Sequence, residues 1–169
     1  MQKDISLVVY CGSKTPKETI FKLVKDRFNI DADPNRVHFV KLLTHEKMEP
    51  HHYPRFTLVM QSIANVVTCY EALTSFPCDV FIDTVGVGSA FLAIKVLFGV
   101  KLLSYTHYPT VSTDMLKQTD TKSFNNKLSG FLAKGKKIYL YILIQMYKLC
   151  GRFADWHATN SSWTHEHIT

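Results

Sequence analysis

CDVFIDTVGVGSAFLAIKVLFGVKLLSYTH, residues Cys78 to His107, decides the fold. Its outer runs, CDVFID (78–83) and VKLLSYT (100–106), are short and rich in β-branched, aromatic and leucine side chains, as strands are. Between them Val87 to Phe98 is apolar at helical length, and Gly99 fits the C′ position that stops a helix. Strand, helix and strand at this spacing make a crossover unit, which sets its two strands parallel.

The same alternation extends in both directions. Upstream, ISLVVY (5–10) reads as a buried strand and Cys11-Gly12-Ser13 as a turn. Pro16 suits the first turn of a helix running to about Asn29, with Ile20, Leu23, Val24 and Phe28 on one face. Asp31 to Asn35 is a loop, RVHFVKL (36–42) a strand, and Thr44 to Pro54 a polar, histidine-rich connection. Arg55 to Leu73 carries a broad apolar stripe and reads as a long helix. Downstream, His107 to Gly135 is polar and long for a loop in a compact domain. Lys136 to Phe153 reads as a helix and ADWHATN (154–160) as a fifth strand, with Ser161 and Ser162 as caps for a helix that barely begins. The expected fold is α/β, a doubly wound parallel sheet, whose ligands bind beyond the carboxyl ends of the strands.

Composition agrees with one globular domain. Of 169 residues, 46% are hydrophobic and 20% charged, which excludes wholesale disorder. The net charge of +6 fits a nucleic acid, a phosphorylated ligand or an anionic membrane surface, and equally a slightly basic soluble domain. Cys11, Cys69, Cys78 and Cys150 are far apart and form no CxxC pair, so a reducing compartment is expected. Met1 to Asp4 is polar and ISLVVY too short for a signal-peptide core. The longest apolar helical stretch, about Ile138 to Cys150, is shorter than a membrane span.

Candidate sites gather at strand ends. Cys11-Gly12-Ser13, Asp83-Thr84, Thr106-His107 and Asn160-Ser161-Ser162 all close strands with polar or small residues. Gly86-Val87-Gly88 precedes a helix but lacks GxGxxG and a following ribose-binding acid, so it reads as a tight turn and not a dinucleotide site. No HExxH occurs and no metal site is expected. His107 stands just after a strand and before Tyr108-Pro109. It suits contact with a sugar hydroxyl or a transferring glycosyl group, although spacing alone favours a structural loop histidine. In Phe131 to Phe153, Lys134, Lys136 and Lys137 lie among aromatic and aliphatic residues. That suits an interfacial helix at anionic headgroups, and also a core helix. No RNA-binding pattern appears, so nucleic acid is not an expected partner. Asn160-Ser161-Ser162 matches a glycosylation acceptor, read here as accidental.

Six strings read in order carry a resemblance: RFNIDADPNRVHFVKL, YPRFTLVMQS, DVFIDTVG, SYTHYPTVSTDML, SFNN and ATNSSWTHEHI. They resemble the endoplasmic-reticulum α-1,2-mannosyltransferases of N-linked glycan assembly, in glycosyltransferase family 4, and the resemblance runs from about Ile5 to Ile168. The resemblance implies a GT-B fold, two Rossmann-like domains with the active site in the cleft between them. It implies a hexosyltransferase that moves mannose from GDP-mannose, with retention, onto dolichol-diphosphate-linked Man3GlcNAc2 and Man4GlcNAc2. The implied place is the cytosolic face of the endoplasmic reticulum membrane, beside other N-glycan mannosyltransferases. No cofactor is implied beyond the donor substrate.

By the same resemblance, His107 lines the cleft as the catalytic residue, with Gly86, Tyr108, Pro109, Thr110, Ser112, Thr113 and Asp114 around the acceptor. Lys134, Lys136, Lys137 and Tyr139 would meet the membrane. Residues 1–169 correspond to part of the N-terminal, acceptor-side domain, without that domain's first strand and glycine-rich loop and without the donor domain that holds GDP-mannose. An alternative is a non-catalytic subunit that binds the acceptor or anchors to the membrane, or a truncated, inactive fragment.

Overall fold

The computed structural model describes residues 5–12, 15–86, 88–107, 127–162 and 164–165, with the backbone only over 127–133. The chain is mixed α/β, and it divides into two compact units, Met1–Cys78 and Asp79–Thr169.

In the first unit, β1 (Leu7–Cys11) pairs in parallel with β2 (Val37–Lys41), in the register Leu7↔Val37 to Cys11↔Lys41. The connecting helix α1 (Lys17–Phe28) starts after Pro16, whose fixed φ suits the position before a first turn. It ends on Asn29, which takes the left-handed conformation and donates its N–H to the Lys25 carbonyl. Lys17 ties the helix start to the approach of β2, donating to the carbonyls of Pro34 at 2.6 Å and Val37 at 2.8 Å. Phe21 meets Phe39 edge to face. Among the described residues β1 pairs with β2 and no other strand, and its side chains are half-buried or exposed where the apolar run predicts burial.

The histidine-rich connection is more ordered than a polar loop, holding two 3-10 turns at Thr44–Met48 and Pro50–His52. Glu71, from α2 (Thr57–Ser75), caps the first turn by accepting the N–H groups of Leu43 at 2.7 Å and Thr44 at 2.9 Å, and the Thr44 hydroxyl. Those bonds, led by the Thr44 hydroxyl, hold the Glu71 carboxyl below its usual range.

The second unit positions the candidate site. It runs β3 (Val80–Asp83), a 3-10 turn at Gly88–Ala90, α3 (Phe91–Phe98), β4 (Lys101–Thr106), α4 (Lys127–Gly151) and β5 (Trp156–Thr159). The strand order is β3-β4-β5, both pairs parallel, with β4 in the centre. Gly99 stops α3 in the left-handed conformation, as the sequence predicts. Leu102, Ile94, Phe91, Ala90, Leu140 and Leu143 are buried and form the core where α3 and α4 pack together. Cys150, at the end of α4, is a buried free thiol whose pKa burial pushes up.

At the amino end of the sheet, Asp155 accepts the Leu102 N–H at 2.6 Å and forms an ion pair with Lys95 of α3 at 2.7 Å. The Asp155 N–H returns a bond to the Leu102 carbonyl at 2.8 Å. α4 begins at Lys127, nine residues before the expected Lys136. Gly130 and Gly135 each weaken a helix by about 1 kcal/mol and disguise its start, but Leu, Ala and Lys around them favour it.

Candidate acceptor-side site

Parallel strands bring their carboxyl ends to one edge. In the second unit that edge holds Asp83, Thr106-His107 and Asn160-Ser161, as the strand-end reading predicts for these three. Cys11-Gly12 ends β1 in the first unit. There His45 lies so close that a Cβ on Gly12 would sit 2.3 Å from its Nδ1, so that position requires glycine.

β4 buries alternate residues, Leu102, Ser104 and Thr106, and then exposes His107. The Ser104 and Thr106 hydroxyls lie 3.3 Å apart. The His107 ring stands edge-on to Tyr105, centroids 4.7 Å apart and planes at 87°. Its faces are thus set by a neighbour on its own strand.

Asp83 is buried at the end of β3, and its carboxylate accepts the N–H groups of Val85 at 3.1 Å and Gly86 at 3.2 Å. Burial pushes its pKa up, and the two amide bonds oppose that shift. Gly86 has φ +75°, a conformation that favours glycine, and a Cβ there would lie 3.5 Å from Thr106 Cα. The tight-turn reading of the two glycines therefore holds at Gly86.

Beyond β5, Ser161 caps the final helical turn, accepting the Thr164 N–H at 3.2 Å, as expected of it. The Thr164 hydroxyl, buried, donates to the His107 carbonyl at 3.1 Å. Tyr108, Pro109, Thr110, Ser112, Thr113 and Asp114 lie outside the described residues. Thr164 was missed as a site residue, and Asp83 was read as one polar strand end without a role of its own. An acid closing an apolar strand is a visible signal, but its burial arises only from tertiary packing.

On α4, Lys134, Lys136 and Lys137 are exposed, while Tyr139 is half-buried. Ile138, Tyr141, Ile142 and Leu149 are exposed at 58–62% for the first three and 54% for the last. At about 100° per residue these four fall on one stripe, with Lys134, Lys137 and Lys148 along one flank. Tyr141, and not Tyr139, is the aromatic residue on that stripe. Among the described residues no helix is long and apolar enough to cross a membrane, and no cluster of His, Cys, Asp or Glu is suited to a metal ion.

Over residues 1–169 the chain matches the family described as ALG11 mannosyltransferase N-terminus. A relative from Mus musculus is 40% identical over 169 residues, covering 95% of this chain and 34% of its own length. One from Dictyostelium discoideum is 34% identical, over 97% of this chain and 34% of its own length. One from Caenorhabditis elegans is 35% identical, over 100% of this chain and 38% of its own length. All three are named GDP-Man:Man(3)GlcNAc(2)-PP-Dol alpha-1,2-mannosyltransferase. The chain spans about a third of the length of the curated relatives it matches. No solved structure matches it significantly.

Proposed function

The chain belongs to the ALG11 mannosyltransferase N-terminus family, and from that premise we propose that the protein transfers mannose in α-1,2 linkage from GDP-mannose to dolichol-diphosphate-linked Man3GlcNAc2 and Man4GlcNAc2. These 169 residues form the acceptor side. The observation that carries the reading is the family match over residues 1–169, with relatives at 34–40% identity whose names give α-1,2-mannosyl transfer from GDP-mannose to Man3GlcNAc2-diphosphate-dolichol. The site is consistent with it. His107 is exposed just beyond a buried strand end, where its imidazole can meet a sugar.

In mannosyl transfer, positive charge develops on the anomeric carbon as the diphosphate leaves, so the transition state has oxocarbenium character. His107 would contact the transferring sugar, with Gly86 shaping the wall beside it and the segment Tyr108 to Asp114 completing the acceptor side. GDP would lie on a donor domain that these residues do not form.

The exposed stripe of α4 supports membrane attachment. Ile138, Tyr141, Ile142 and Leu149 offer an apolar strip, and the lysines beside it suit anionic headgroups. In this reading the protein works on the cytosolic face of the endoplasmic reticulum, where lipid-linked acceptor and other N-glycan mannosyltransferases meet.

Incubation of the protein with GDP-mannose and lipid-linked Man3GlcNAc2 tests the function. The expected products are extended by mannose residues that an α-1,2-mannosidase removes. Products resistant to that enzyme, or no product, would reject the reading.

A further inference from the structure

The segment bearing His107 is reached from both neighbours of the central strand. On the β3 side, the Asp83 carboxylate folds the following turn by accepting the Val85 and Gly86 N–H groups. Gly86 then lies against Thr106, its would-be Cβ 3.5 Å from both Thr106 Cα and Cγ2. On the β5 side, the Thr164 hydroxyl donates to the His107 carbonyl at 3.1 Å. Ser161 Oγ, 3.0 Å from that hydroxyl, can donate to it and so help to orient its proton, while Asn160 Oδ1 at 3.2 Å is a second acceptor within reach of the same proton. Asp83 is 8% exposed and Thr164 1%, whereas His107 is open to solvent.

We infer that Asp83 and Thr164 are positioning residues, which clamp the end of β4 from its two sides and so fix the height at which the His107 ring meets the acceptor. The inference rests on the mannosyl-transfer reading and deepens it. Neither side chain is exposed enough to serve as a contact for sugar, so each acts through the backbone it holds. The geometry matters because transfer requires reacting atoms to be aligned, and a displacement of about 1 Å can cost about 100-fold in rate.

The test uses the whole protein with T164V, T164S, D83N and H107A substitutions. T164V keeps the shape and removes the donor, while T164S keeps the donor. T164V is expected to lower kcat by about ten-fold or more, leaving KM for GDP-mannose within about two-fold, and T164S to restore most of the rate. D83N keeps the shape of the side chain and weakens the turn, so it should lower kcat in the same direction. In the H107A background T164V should add nothing, because both changes remove one geometry. A wild-type kcat in T164V, or a full additional loss in H107A, overturns the clamp.

A second readout does not need turnover. Hydrogen exchange of the peptide Leu103–His107 should quicken in T164V and in D83N and stay unchanged in T164S. Unchanged exchange in both T164V and D83N overturns the clamp whether or not the protein is active. A wild-type protein that makes no product, yet shows the exchange pattern, rejects only the mannosyl-transfer reading.

Discussion

Replacing His107 by Ala should lower kcat by about 100-fold or more if the ring meets the transferring sugar, while acceptor affinity changes little. Steady-state rates and acceptor binding measured on the same preparation check this, and wild-type turnover would remove His107 from the site. Asp155 supports a second prediction. Its bond to the Lys95 ammonium, then that to the Leu102 N–H, hold its carboxyl below the usual range. In the unfolded chain the group takes its proton at higher pH, so its contribution to stability is present above about pH 4 and is lost as pH falls through the lower folded value. D155N should therefore melt below the wild type near neutral pH, with the two melting curves converging towards pH 3. A constant gap across that range would contradict the assignment. Asp83 has the opposite sign, because burial raises its pKa and its contribution is lost as pH rises through that raised value. At this scale the sequence showed His107, because a histidine between a strand and Tyr-Pro is conspicuous. Asp83 showed only as one polar strand end among several and Thr164 not at all, since only folding makes these two buried.

Elements were legible where period and punctuation agreed. Gly99 marked the end of α3, and the expected helix holds a 3-10 turn at Gly88–Ala90 followed by helix over Phe91–Phe98. The start of α4 was hidden by two glycines, and Glu71 capping Leu43 and Thr44 is a contact across 27 to 28 residues that no local pattern reveals. Gly99→Ala must force an alanine to φ +64°, which costs roughly 1–2 kcal/mol and should lower Tm by a few degrees in a thermal melt. An unchanged Tm would mean that α3 ends without need of that conformation. For α4, converting Lys134, Lys137 and Lys148 to Ala should weaken binding to phosphatidylserine-rich vesicles on the order of 100-fold, at roughly 1 kcal/mol per charge. Binding to neutral phosphatidylcholine vesicles should be weak and nearly unaltered. Equal losses on both, seen by co-sedimentation, would argue for damage to the helix instead of a lost electrostatic attraction.

For the whole molecule, the alternation of strands and helices was readable because each element is short and apolar runs change period at its ends. Which strand lies centrally was not, since pairing is decided by partners far apart in sequence. The 169 residues by themselves are expected to transfer no mannose from GDP-mannose, as the relatives are about three times longer. Transfer by the purified chain would refute that and locate a donor site within it. The central place of β4 also has a consequence in time. Asp83 and Ser104 pair across about 20 residues, and Leu102 meets Asp155 across 53, so closing the second loop costs roughly 0.8 kcal/mol more. β3 and β4 can join early, while β5 arrives later with Asp155 at one end and Thr164 just beyond the other. During synthesis the histidine leaves the ribosome some 57 residues before the hydroxyl that secures it. Until then a nascent chain carries the end of β4 without one of its two fastenings.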